Sequence, residues 1–592
     1  MAALQRPIPM AEIWRLVGRT LGPESHFYWL AVIYSIGVGI LTLAVPISVQ
    51  TLINTVANIG LATPLIVLSI TLFGLLMIAG LLTALRLHLM EIFGRRFYAR
   101  LMAQMTLRTL HAKNPLFPDS RRSSLFNRYF DIIIVQKNIP YLVISGFTVL
   151  LQAAVGFTVT SFYHPLFLGF NIVCILLIAA TWLVWGRSAV RSAIDLSLAK
   201  HDAAAHLESL AASNGYFKSD RHIAHAIEAS DAVTGEYVTQ HRRHFRSHFA
   251  QTLAFLFIYA AASALLLGLG GWLVIHGQLT LGQLVAAELI LSAVFVGVSQ
   301  LGSYLTSFYD LCAAVEELSM FETIEQDPPR NDGHATPQRT DITFAKVQGQ
   351  ARGRRATLDF TLPAGAKVMA AASDPAVKQV MTNILRRQVD PETGYVAFGG
   401  ADIEAINALC LREQILILDR PMIIETTIRE YLRLADADAN SDRSITALKA
   451  VGLDEVVADL PDGLDTQLSN TGWPLSLAET LQLKLAGALL ARPRVLVLSY
   501  MFDVLPARVL KPVFDLIQKD EDTTLIYFSN SGDPLGFELF LYVTADQQIF
   551  STSFDAFKRM RDAAQIFADA DNIQIAPKDR VKLLPSAAAN AS

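Results

Sequence analysis

Residues 491–500 read ARPRVLVLSY. Within them Val495–Leu498 is a short, unbroken apolar run, the pattern of a strand buried on both faces of a parallel sheet. Outward from it, across residues 341–568, short apolar runs alternate with helical patterns. That alternation predicts a soluble α/β domain with a partly parallel sheet. Before it, residues 326–340 are polar and hold Pro328, Pro329, Gly333 and Pro337, which predicts a linker. After it, residues 569–592 end in Ala, Asn and Ser and predict a flexible tail.

The first half is different in kind. The whole chain is 592 residues long, 52% hydrophobic and only 17% charged, which is apolar for a soluble protein of that size. Six stretches are long enough to cross a bilayer, which takes roughly 20 apolar residues each. They run over residues 27–52, 65–89, 140–163, 166–185, 250–275 and 281–304. The first is too long for the apolar core of a secretory signal, so no cleaved leader is expected. The segments after spans one, three and five are short and carry neither Lys nor Arg. Those after spans two and four are long and basic, with Arg95, Arg96, Arg100, Arg108, Lys113, Arg121, Arg122, Arg128 and Lys137 in the first of them. The positive-inside rule then predicts both long segments and both termini on the cytoplasmic side of a cell or inner membrane. Amphipathic periodicity continues past the spans through Tyr98–Leu110 and Ile194–Ala211, so the helices are expected to leave the membrane and keep going. Breaks near Asn114–Ser120 and Ser213–Ser219 would each hold a short transverse helix.

A net charge of −4 with no basic stripe argues against nucleic-acid binding. Cys174, Cys312 and Cys410 lie far apart and match neither a metal nor a redox spacing. No metal site is expected.

Several segments, in order, carry a family resemblance. DPETGYVAFGGADI at 390–403, LREQI at 411–415, TIREYL at 427–432, LPDGLDTQL at 460–468 and ARPRVLVL at 491–498 resemble successive landmarks of the nucleotide-binding domain of ABC transporters. With six spans ahead of them, the chain resembles a half-size ABC exporter. The fold this implies is a membrane α-helical bundle of the type I ABC exporter kind, six spans with long intracellular extensions, followed by a P-loop-like α/β ABC domain. Residues 1–325 would be the transmembrane domain and residues 341–568 the ABC domain.

The resemblance also implies where chemistry should sit. A phosphate loop needs glycines so that consecutive N–H groups curl around one phosphate. Here that loop falls on ASDPAVKQ: Ala372 and Val377 stand at its glycine positions, Pro375 lies inside it, Lys378 keeps the lysine and Gln379 replaces the magnesium-binding hydroxyl. The Walker B carboxylates fall on Ser499 and Tyr500, the Q-loop glutamine on Asp419, the switch histidine on Asn530 and the D-loop aspartate on Pro506. The adenine-stacking aromatic falls near Lys346. The signature motif reads LSLAE at Leu475–Glu479, keeping Ser476 while Leu477 and Ala478 add bulk and Glu479 adds charge. Lys378 is expected to be a solvated helix-start residue, Asp419 a plain loop residue and Asp503 a surface or turn residue.

The functional expectation is a non-hydrolytic subunit of an ABC-type exporter with no catalytic residues. ATP and Mg would bind only weakly, or at a site shared with a partner, where Ser476 would serve the partner's nucleotide. The expected partners are the bilayer, a second ABC half-transporter and, as a further candidate, a periplasmic adapter; the alternative is a membrane scaffold that docks proteins without transporting. Among ionisable residues in or beside the spans, His88, Glu91 and Glu288 are the functional candidates.

Overall fold

In the computed structural model the described residues are 10–58, 62–113, 121–327, 335 and 337–567. They divide into two compact units, Met1–Glu325 and Gln326–Ser592.

Among the described residues, every named element of the first unit is a helix. α1 (Met10–Leu21) leads into α2 (Ser25–Thr42) and α3 (Ala44–Asn58), then α4 (Ala62–Leu110), α5 (Asp131–Tyr141), α6 (Phe147–Ser161), α7 (Pro165–Ala212), α8 (Asp220–Ile275), α9 (Leu281–Ser299) and α10 (Leu301–Ser319). Among the described residues, six helical segments are long and apolar enough to cross a membrane: Trp14–Ile53, Leu65–Leu110, Phe126–Ser161, Pro165–Ala212, Asp220–Ile275 and Leu281–Ser299. α4, α7 and α8 have 49, 48 and 56 residues. At about 1.5 Å per residue each is more than twice as long as a hydrocarbon core of about 30 Å is thick.

Two spans depart from the expected limits. Residues 27–52 are not one helix but α2 and α3, separated at Leu43. Pro46 has no N–H to give the carbonyl of Thr42, so the ladder is interrupted where α2 stops. The last span ends at Ser299 instead of running to residue 304, because Gln300 ends α9 and opens α10. α5 and α6 are joined by a π-helical turn, Leu142–Gly146, next to Pro140. The break expected near Asn114–Ser120 lies outside the described residues. The break near Ser213–Ser219 is a single 3-10 turn, Asn214–Tyr216, between α7 and α8.

The second unit begins with an antiparallel sheet. β1 (Ile342–Ala351) pairs with β2 (Arg354–Leu362) and with β4 (Thr393–Phe398), and β4 pairs with β5 (Ala401–Asp402). A bulge in β1 puts Lys346 at φ 47°, exposed. The second sheet holds β3 (Lys367–Ala372), β6 (Ile415–Leu418), β7 (Val495–Leu498), β8 (Thr524–Phe528), β9 (Leu539–Val543) and β10 (Gln548–Ser551) in the order β10-β9-β3-β8-β7-β6. Its five strands from β9 to β6 are parallel and only β10 is antiparallel. All four residues of β7 are buried, as the run Val495–Leu498 requires.

Helices cover both faces. α11 (Pro375–Leu385) packs into a core shared by the two sheets. α12 (Ala408–Gln414) precedes β6, and α13 (Ile428–Ala435), α14 (Ser441–Ala450), α15 (Asp454–Asp459), α16 (Leu477–Ala491) and α17 (Ala507–Gln518) build the core of the opposite face. α18 (Phe554–Phe567) follows β10 and packs on β9 through Phe557.

Candidate functional site

The site of interest lies at the C-terminal ends of β3, β7 and β8, where an open α/β sheet places its ligands. β3 runs to Ala372, and α11 already begins at Pro375. Only Ser373 and Asp374 lie between them. A glycine-lined cradle would use the three following positions as loop; here they form the first helical turn, since Pro is pre-set for a helix's first position and neither Ala376 nor Val377 resists it.

Four N–H groups of this turn are engaged within the chain. Ala372 N donates to the Tyr500 hydroxyl at 2.8 Å and Ser373 N to the Val543 carbonyl at 2.8 Å. Ala376 N donates to the Asp374 carboxylate at 2.8 Å, Val377 N to the Asp374 carbonyl at 3.0 Å, and Pro375 has none to give. Asp374 therefore caps α11, and Arg354 pairs with the same carboxylate. A helix N-terminus favours one negative charge, and Asp374 supplies it from the chain itself.

Tyr500 occupies the end of β7. Burial pushes its phenol up to about 12, so the hydroxyl stays neutral and receives the Ala372 N–H. Lys378 lies over the Tyr500 ring, its ammonium 5.2 Å from the centroid, and burial lowers its pKa. This corrects the expectation of a solvated lysine: Lys378 is one turn into α11 and rests on an aromatic face. Gln379 accepts from Arg352 Nε at 3.1 Å, and Ser499 is buried at the end of β7.

Asp419 is not a plain loop residue. Both of its oxygens receive Arg386, at 3.0 and 2.8 Å. Behind this pair Lys484 of α16 is buried, donates to the Arg420 carbonyl, and has its pKa lowered by burial to about 8. Asp503 does lie in a turn, the 3-10 segment Tyr500–Val504, but it is half-buried and not a surface residue. Its Oδ1 accepts from the Tyr527 hydroxyl and, at 2.7 Å, from Ser529 Oγ; its Oδ2 accepts from Asn530 N at 2.8 Å. This carboxylate ties the turn after β7 to the end of β8 and holds Asn530 by its backbone. Pro506 precedes α17 and is exposed.

The signature segment forms the N-terminus of α16. Ser476 is its N-cap: Glu479 N donates to Ser476 Oγ at 3.3 Å, and Ser476 N donates to Glu479 Oε2 at 2.7 Å. This reciprocal capping box engages the retained hydroxyl and sets a carboxylate on the helix end.

In the first unit the sequence candidates fare unevenly. His88 and Glu91 are exposed, and Glu91 pairs with Arg95 at 3.3 Å. Glu288 accepts from Ser292 at 2.8 Å, and its other oxygen is buried without a hydrogen-bond partner. Among the buried ionisable groups that sequence reasoning missed is Arg86 of α4, 4% exposed. It donates to Ser35 Oγ of α2 at 2.9 Å and Thr148 Oγ1 of α6 at 2.7 Å. A lone arginine inside an apolar run was the signal that could have found it.

A model of the ABC transporter transmembrane region matches residues 28–211. A bacterial Atm1-family ABC exporter, solved with ATP bound, superposes with a TM-score of 0.76 at 20% identity, over 94% of this chain and 99% of that one. The fold is that of an ABC exporter. The chain has the architecture of an exporter half-transporter, a transmembrane unit fused to an ABC domain, and is an integral membrane protein. It is 26% identical over 527 residues to the ABC multidrug transporter mdr2 of Aspergillus fumigatus, a match covering 84% of this chain and 64% of that one. It is 31% identical over 211 residues to the mitochondrial potassium channel ATP-binding subunit of Mus musculus, covering 33% of this chain and 29% of that one. The chain thus spans less than two thirds of the length of either relative.

Proposed function

We propose that this chain is a non-hydrolytic subunit of an ABC-type exporter. It contributes half of a translocation path and pairs with a second ABC half-transporter that supplies the ATP turnover. The observation that carries the reading is the hydrogen bond from Ala372 N to Tyr500. In an ABC ATPase the end of this strand holds a magnesium-binding aspartate and a glutamate that readies water for attack. Here a neutral phenol fills that place and takes the first N–H that a phosphate would need.

The remaining residues support the same conclusion. A magnesium triphosphate does not fit this set: Asp374 already caps the helix, Pro375 offers no donor, Gln379 cannot give the metal a hydroxyl, and no carboxylate ends β7. Loss of preorganised charges at such a site removes several kcal/mol of transition-state stabilisation, or orders of magnitude in rate. On the other side, Ser476 and Glu479 close the end of α16 with negative charge, which opposes a partner's γ-phosphate.

The test is ATP hydrolysis and nucleotide binding by the purified full-length chain in nanodiscs. The expected result is turnover equal to a mock preparation and no saturable binding of a fluorescent ATP analogue with Mg. Turnover that scales with protein and survives removal of every co-purifying chain would refute the reading.

A further inference from the structure

We propose that Glu316 of α10 is a proton-binding site, and that its proton sets how tightly α10 is held against α5 and α7. α10 follows directly on the last span and packs against α1, α5, α7 and α8. Residues 311–318 are all buried, more than two helical turns with no side facing water. Glu316 and Glu317 lie in that stretch, 3% and 0% exposed, so neither can carry its carboxylate out to solvent.

The charges around these two glutamates do not balance. Glu317 pairs with Arg128 of the 3-10 segment Arg121–Phe130, which leads into α5. Asp131, fully buried at the start of α5, has two partners from α7: Lys200 Nζ at 2.9 Å and His201 Nε2 at 2.6 Å. Glu316 is left over. Among the described residues its side chain has neither an ion pair nor a hydrogen bond, and its Oε2 is enclosed without a partner. The other charges on the packed elements do not relieve it. Arg19 of α1 is taken by Glu322, Lys137 of α5 is exposed, and His248 of α8 bonds to Thr306. Asp202 of α7 and Asp310 of α10 are exposed acids and add negative charge.

A carboxylate enclosed without a partner neutralises by taking a proton. Burial pushes the Glu316 carboxyl above its ordinary value, and Arg128 pulls it back by less. Arg128 can do no more because it also serves Glu317 and faces Asp131. Among the described residues no three His, Cys, Asp or Glu side chains are placed to hold a metal ion, so the neutralising species is a proton, taken from water. When that proton leaves, the bare charge must draw water into the contact or push α10 away from α5 and α7. A carboxyl raised on folding stabilises the packed state fully below its unfolded value, and that contribution is lost as pH rises through the folded value.

The test is infrared spectroscopy of the full-length protein in nanodiscs, following the carbonyl stretch of protonated carboxyls against pH. Subtracting Glu316→Gln from the wild type isolates this one group. Its band should persist above the range in which exposed glutamates ionise, about pH 4–5, and vanish at higher pH. Glu317→Gln frees Arg128 for Glu316 and should move that loss to lower pH. Amide exchange at residues 311–318, corrected for base catalysis and divided by that of Glu316→Gln, should speed up by about tenfold per pH unit from about pH 4.3 to the same transition, then level off. Glu316→Met, apolar and of similar length, serves as a second reference, so the result does not hang on one variant folding. Absence of a difference band above the ordinary range would overturn the proposal, as would an exchange ratio independent of pH. A transition left in place by Glu317→Gln would overturn the sharing of Arg128 on which the site rests. The site depends on packing within the transmembrane unit alone: ATP turnover by the chain would sink the non-hydrolytic reading and leave this one standing.

Discussion

Replacing Asp503 tests whether a carboxylate has been turned from chemistry to structure. Its two oxygens receive three donors: the Tyr527 hydroxyl, Ser529 Oγ at 2.7 Å and Asn530 N at 2.8 Å. Tyr527 and Ser529 are fully buried, so water cannot replace the lost acceptor. Hydrogen bonds to a charged group contribute about 1.5–3 kcal/mol each, and they do not add. Removing one side of a buried charged network costs about 3–5 kcal/mol, and Asp503→Ala should cost that much. Asp503→Asn separates the contributions. Its amide oxygen can still serve Tyr527 and Ser529, but its NH₂ would face the N–H of Asn530, donor against donor. One bond is lost instead of three, for about 1–3 kcal/mol. The assay is amide hydrogen exchange across Thr524–Phe528 in the full-length protein, which reads the opening free energy of β8 directly. With a tenfold change per 1.4 kcal/mol, Asp503→Ala should exchange about a hundred- to a few thousand-fold faster, and Asp503→Asn about five- to a hundredfold faster. Tyr527→Phe, combined with each, should show coupling at Ala but not beyond. If Asp503→Ala exchanges at the wild-type rate, the carboxylate holds nothing and the structural account of it is wrong.

Four further outcomes are expected. Asp419→Ala leaves Arg386 only its hydrogen bond to the Ile417 carbonyl and should lower stability by about 2–4 kcal/mol, whereas Asp419→Gln, which keeps one acceptor, should lower it by about half as much; denaturant unfolding decides. Restoring carboxylates to β7 with Ser499→Asp and Tyr500→Glu together should not restore ATPase activity, because Asp374, Pro375 and Gln379 are untouched; measurable turnover by that variant would show that the loop does not matter. Lys484 has a folded pKa near 8 against about 10.4 unfolded, so the unfolded chain binds the extra proton between those values and stability rises with pH across that window. Lys484→Met should therefore stabilise by about 1–3 kcal/mol at pH 7, with the gain fading by about pH 10; a gain independent of pH would point to packing instead. Gly365→Ala should destabilise by more than about 2 kcal/mol, since Gly365 sits at φ +69° and a Cβ would lie 2.1 Å from the Glu521 carbonyl oxygen, with no side chain to move aside; an unchanged melting temperature would contradict that geometry.

What the sequence by itself determined is the part written in local patterns. The lengths of the apolar stretches predicted the spans, and the continued periodicity through Tyr98–Leu110 and Ile194–Ala211 predicted helices that outrun the bilayer; α4 and α7 do so. Val495–Leu498 predicted a strand buried on both faces, and β7 is one, between β8 and β6. Ser476 and Glu479, three residues apart, form a capping box. These signals survive because a period of 2 or 3.6 residues, or a cap, depends only on near neighbours. What the tertiary structure alone decided is which groups meet. Tyr500 reaches a backbone N–H 128 residues away, and Arg86 reaches hydroxyls 51 and 62 residues away on two other helices. Lys378 passed for a solvated residue and Asp503 for a surface or turn residue because nothing beside either in sequence names its partner. Their actual partners, an aromatic face and three donors, are brought to them by the order of strands β3, β8 and β7 in the sheet. A hydrogen bond has no periodicity to announce it. It exists only once chain segments far apart in sequence have been packed side by side, and burial then decides whether it can be lost without cost.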